Sequence, residues 1–198
     1  MRSTSYFIEL MIAGAGATVW VALLVFSFYG YDWMPWDYLK EAGIIIVLSP
    51  FVYVLGVIFD RFVDNFFDFY FKENYKNPKF LPKEEYYRAR TSVYMASDHL
   101  KDLIEYGKSR IRICRAWSVN SVLIAFFGSL YMIASPYTPF NTLGEQLKAG
   151  GLILFIFGLF GFLSFRAWRI LSLKEAGFLR DQSRILDEMK KNKQEKSE

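Results

Sequence analysis

The chain has 198 residues and a formal net charge of +4; it is 53% hydrophobic, 19% aromatic and 22% charged. Those averages describe a slightly apolar globular protein, but they conceal a segregation. Four runs, Leu10–Tyr31, Ala42–Phe59, Ala116–Gly144 and Ala149–Phe165, contain no charged residue, and each reaches the roughly 17–25 residues a helix needs to cross a bilayer, which excludes an ordinary soluble domain.

The first run follows Glu9. The small-residue steps around Ala13, Ala15 and Ala17 look like signal-peptide cleavage sites, yet the apolar stretch before them is short and an equally apolar one follows. The sequence therefore predicts a retained span. Glu9 is an ionisable group at the edge of that span, a position that marks either an ion or proton pathway or a structural contact. One turn from the span's beginning it complements a helix N-terminus and is within reach of Arg61 or Arg166. Gly14 and Gly16 give the same span a small-residue face, and Gly158 and Gly161 give one to the fourth; such faces let helix backbones approach closely.

Counting Lys and Arg outside the runs orients the chain. Arg2, the 12 basic residues of segment 60–115 and the 9 that follow from Arg166 total 22 of 24. One side of the membrane, the cytoplasmic one, is predicted to hold both termini and the middle segment. Tyr31, Trp33, Trp36 and Tyr137 fall in the outer turns, and Trp117 and Trp168 at inner ends, the interfacial level these side chains favour. Pro35, Pro136 and Pro139 break helices in the outer turns, whereas Ser49-Pro50 is expected to bend the second span.

Segment 60–115 is predicted to be a helical hairpin continuous with spans two and three. Asp60, Asp64 and Asp68 recur every four residues beside Phe59, Val63, Phe67 and Phe71, so helical amphipathicity continues beyond the second run. Tyr86, Ala89, Val93, Ala96, Leu100, Leu103, Gly107, Ile111 and Cys114 form a stripe of alternating three- and four-residue steps, the spacing of a helix–helix seam. Pro82 starts that helix, and Asn74–Pro82 is the expected turn. Across it, Asp60 should meet Arg115, Asp64 Arg112 and Asp68 Lys108, a charge ladder between antiparallel helices. The competing use of the three aspartates is Mg²⁺ and diphosphate binding. Their spacing resembles half of the CDP-alcohol phosphotransferase pattern, without its glycine, Ala-Arg and second aspartate elements. In the segment 166–198, Leu171, Phe178 and Ile185 are seven apart and predict an amphipathic helix, with a disordered end beyond Lys190. Asn120 is expected to make an interhelical hydrogen bond.

The sequence thus predicts an all-α integral membrane protein. Residues 1–59 hold spans one and two, 60–115 the hairpin, 116–165 spans three and four, and 166–198 the tail. A lone Cys114 and a lone His99 offer neither a disulfide nor a zinc cluster, and no phosphate-binding glycine motif is present. No catalytic, cofactor-binding or metal residue is therefore assigned, no enzyme is expected, and no direct nucleic-acid contact is needed to explain the charge. Projecting seams on so small a chain predict a homo-oligomer, with a tetramer favoured, and a cytoplasmic partner protein docked on the hairpin and tail. The leading expectation is a scaffold or sensor; the alternative is a homo-oligomeric channel or membrane-disrupting effector. The four-span layout with a basic hairpin over Asp60–Arg115 resembles the membrane subunits of bacterial anti-phage defence systems of the Kiwa type. That resemblance implies an inner-membrane location and a role in relaying membrane disturbance to a soluble effector.

Overall fold

The computed structural model describes residues 2–34, 42–71 and 83–195, and every regular element among them is an α-helix. Five helices follow in order: α1 Arg2–Tyr29, α2 Ala42–Phe71, α3 Lys83–Ala96, α4 Asp98–Ala134 and α5 Leu143–Glu195. Four of them, all but α3, are long and apolar enough to cross a membrane. The expected outer turn around Pro35 and Trp36, and the expected hairpin turn Asn74–Pro82, lie outside the described residues. The chain divides into two compact units, one of residues 1–64 and 112–166, the other of residues 65–111 and 167–198.

In the first unit, local chemistry sets the helix ends. Gly30 adopts a left-handed backbone with φ of 70° and its N–H returns to Phe26 O at 3.0 Å, closing α1 where a side chain would be strained. A Cβ there would also strike the ring of Tyr137. At the start of α5, Thr142 accepts from the N–H of Glu145 at 3.3 Å, the first half of a Thr-x-x-Glu capping box.

The packing order in this unit follows from paired contacts. Residue numbers rise together between α1 and α4: Asn120 Nδ2 donates to Ala13 O, Trp20 stacks on Phe127, and Gly30 abuts Tyr137. These two helices are parallel. Between α4 and α5 the numbers run oppositely, from Trp117 on Phe160 to Ser129 Oγ donating to Gly150 O at 2.8 Å, so this pair is antiparallel. Both directions suit alternating spans one, three and four.

The second helix departs from that simple order. Gly14 and Gly56 meet backbone to backbone: a Cβ on Gly14 would fall on Val52 O, and one on Gly56 on Leu10 O. On either side of this point Phe7 stacks on Tyr53 and Trp20 reaches Phe59. The backbone contacts run in opposite order along the two helices, Leu10 against Gly56 and Gly14 against Val52, whereas the ring pairs rise together. Such mixed order marks helices that cross at an angle, meeting at this point instead of along their length. Pro50 lies within α2, and Ser49 Oγ donates to Ile46 O at 2.8 Å.

In the second unit, Val93 of α3, Ile104 of α4 and Leu179 of α5 form a buried core, flanked by Tyr86, Tyr94, Leu100, Phe178 and Leu186. Two expectations are corrected here. The stripe from Tyr86 to Cys114 is not one helix, because the chain breaks at Ser97. Its hydroxyl accepts from the N–H of His99 at 3.2 Å and its carbonyl from the N–H of Lys101 at 3.1 Å, the capping chemistry of a new helix start. The break shifts the phase, so that Ile104 is buried and Leu103 exposed. The second correction concerns the tail: α5 continues to Glu195, where composition alone predicts disorder beyond Lys190. An unbroken helix propagates cheaply once its earlier turns are held by packing. Replacing Leu179 by Ala should cost about 2–5 kcal/mol and raise hydrogen exchange across α3 and the start of α4. Leu103→Ala should leave both nearly unchanged.

Candidate functional site

Inside the first unit the helices bring five ionisable side chains to one end of the bundle. Arg115 of α4 donates to Asp60 Oδ1 at 3.2 Å through one terminal nitrogen and pairs with Asp64 through the other. The guanidinium fork suits this arrangement, since its two terminal nitrogens can each serve a different carboxylate. Three residues earlier on α4, Arg112 donates to Glu9 Oε2 at 3.3 Å and stacks over the ring of Tyr6. The side chains of Asp60 and Glu9 are 8% and 9% exposed, those of Arg115 and Arg112 14% and 37%. A carboxylate this buried is stable only while its counter-ion stays.

The predicted ladder is therefore rearranged. Asp60 meets Arg115 as the spacing suggests, but Asp64 shares that same arginine, and Arg112 turns to Glu9 instead of Asp64. Glu9 pairs with neither Arg61 nor Arg166, the two partners expected for it. Asp68 is not joined to Lys108, which donates to Tyr94 Oη at 3.2 Å. The oblique course of α2 is the reason. A ladder of three rungs needs two helices side by side, whereas crossing helices meet over only a turn or two.

Two turns above the ion pairs lies a second polar clasp. Asn120 is wholly buried; its Nδ2 donates to Ala13 O at 3.0 Å and its Oδ1 accepts from Trp20 Nε1 at 3.1 Å. The absence of a side chain at Gly16 makes room for it, because a Cβ there would overlap the Asn120 amide. Gly161 of α5 packs on Ser118 and Ser121, whereas nothing within this chain lies within 4 Å of a Cβ placed on Gly158. The spacing argument misses Gly56, whose only sequence signal is a lone glycine in an apolar run. Ser121 Oγ and Arg115 Nε are buried without a partner among the described residues.

The second unit holds a cluster around Tyr94. Arg90 and Lys108 lie over its ring at 5.2 and 5.3 Å, and its hydroxyl donates to Glu105. Burial, and next the hydrogen bond to Glu105, hold this phenol above its usual value of 10.0, against the opposing pull of Arg90. Nearby, Glu85, Arg88, Arg180, Ser183, Arg184 and Asp187 line an open groove of about 430 Å³ between α3 and the end of α5. No group of three or more His, Cys, Asp or Glu able to hold a metal occurs among the described residues. Comparison with protein families, curated proteins and solved structures finds no match to this chain.

Two outcomes follow from these contacts. Arg115→Gln strands Asp60 in a buried site and should destabilise the detergent-solubilised protein by about 3–5 kcal/mol. Arg112→Gln, at a more exposed pair, should cost clearly less, and thermal unfolding of the two variants measures the difference. For Tyr94 the raised value means that the fold favours the neutral phenol. Its stabilising contribution is then complete below the unfolded value of 10.0 and lost as pH rises through the higher folded value. Tyr94→Phe should reduce alkaline loss of helicity, measured by circular dichroism between neutral pH and strongly alkaline solution.

Proposed function

We propose that this chain is a non-enzymatic membrane scaffold or sensor that assembles as a homo-oligomer and relays an event in the bilayer to a partner protein. One observation carries the reading. α2, α4 and α5 each contribute residues to both compact units as unbroken helices, and α5 alone has 53 residues. A helix of that length transmits displacement or rotation, because its backbone hydrogen bonds resist local deformation. The charged groove of the second unit, rich in arginine but mixed in sign, offers the partner a polar and orienting surface. Asp60 and Asp64 share a guanidinium, which favours a structural role for them over metal binding. Both termini and the groove lie on the cytoplasmic side in this reading, and bacterial anti-phage defence is the setting that the layout suggests.

Purification of the tagged chain from its own host in mild detergent tests the reading. We expect a discrete oligomer, four copies by mass, that retains a soluble protein, and liposomes reconstituted with it should show no ion flux above empty vesicles. The charge reversals Arg180→Glu and Arg184→Glu together should release the partner while leaving the oligomer intact. Robust conductance without a retained partner would overturn the scaffold in favour of a pore. Plaque counts on cells carrying the chain with its partner test the defence setting: no protection against any phage of a broad panel counts against it.

A further inference from the structure

The face of α2 turned away from the protein is apolar far beyond the second uncharged run. Phe51, Val54, Ile58, Phe62, Phe66 and Phe69 are all exposed, and their steps of three and four place them on one side of an uninterrupted helix. The opposite side holds Gly56, Asp60, Val63 and Phe67, all buried. The stripe therefore continues the lipid-facing side of the candidate span Ile46–Tyr70, and it does not end where the carboxylates begin. Phe69, 78% exposed, lies about 13 Å along the helix beyond Asp60. Water makes a poor neighbour for so much aromatic surface.

Beside the stripe, Arg61, Asn65 and Asp68 are exposed as well, one position earlier in each step. The end of α2 is thus amphipathic on its outer half, with aromatic rings on one side and polar groups on the next. Rings beside polar groups suit the level where acyl chains give way to head groups. At the level of the ion pairs Tyr6, Phe7 and Ile8 of α1 are exposed too, immediately before the buried Glu9.

We infer that the bilayer surface covers α2 to Phe69 and Tyr70, so that the cluster of Glu9, Asp60, Asp64, Arg112 and Arg115 sits behind lipid and not in open water. The inference rests on the reading of the chain as a membrane protein and deepens it. The aromatic residues that touch lipid, Phe62 and Phe66, alternate along α2 with the carboxylates that hold Arg115. A change in lipid packing at this depth acts on the same turns that carry the ion pairs, and this gives the relay its input.

The test uses the full chain with Cys114→Ala and single cysteines at Val54, Phe62, Phe66, Phe69 or Met95, each labelled with an environment-sensitive fluorophore. The variants are reconstituted in vesicles of phosphatidylcholine and phosphatidylglycerol. Phe62→Cys, Phe66→Cys and Phe69→Cys should be quenched by brominated lipid at least half as strongly as Val54→Cys. Met95→Cys, on the highly exposed α3 position, should respond several-fold more to aqueous iodide than to brominated lipid. Iodide quenching of positions 66 and 69 as strong as at 95 would overturn the inference, since the helix end would then be in water. Protection from both quenchers would overturn it too, because protein would be the cover. If Val54→Cys also escapes brominated lipid, the membrane reading fails with it, whereas quenching at 54 alone confines the failure to this inference.

Discussion

The structure of the first unit depends on one guanidinium. Arg115 has an arginine's permanent charge in a place that is mostly closed to water, and it is tolerable there only because Asp60 and Asp64 converge on it. Asp60, buried beside it, is equally dependent on the arginine. This mutual requirement fixes where α2 crosses α4 and, with the glycine contact between Gly14 and Gly56, the depth at which it crosses α1. Buried ion pairs add little net stability over an apolar substitute, but they penalise every arrangement that separates the partners. Their value here is in register: α2, with its largely featureless apolar surface, has few other means of choosing a position.

Asn120 does the corresponding work between α1 and α4. An apolar pair of parallel helices can slide by a turn at small cost when lipid and side chain are equally oily. An amide that must reach both a backbone carbonyl and the Trp20 indole permits one alignment. The glycine at position 16 is what allows the approach. Polar clasp and small residue are therefore one device.

The second unit is held by different means. Its core of Val93, Ile104 and Leu179 is small, and aromatic and charged neighbours surround it. Such a unit has modest stability of its own; the unbroken course of α4 and α5 supplies it with helices that already have hydrogen-bonded turns on one side. The same continuity explains why residues 191–195, too polar to fold alone, are helical.

Much of this architecture is legible in the sequence. Four uncharged runs of spanning length, an all-α class, the pairing of Asp60 with Arg115 and the interhelical role of Asn120 all follow from composition, period and the cost of burying polar groups. These features depend on residues near each other in sequence or on charges rare enough to have few partners. What the sequence could not decide depends on crossing geometry and phase. Whether Asp64 meets Arg112 or shares Arg115, whether Glu9 reaches Arg61 or Arg112, and whether Gly158 packs within the chain are settled by the angle between helices, and a one-dimensional period contains no angle. The break at Ser97 shows the same limit on a smaller scale: a serine is a cap or an ordinary helical residue according to what the following turns pack against, and here the burial of Ile104 beside Leu179 decides it.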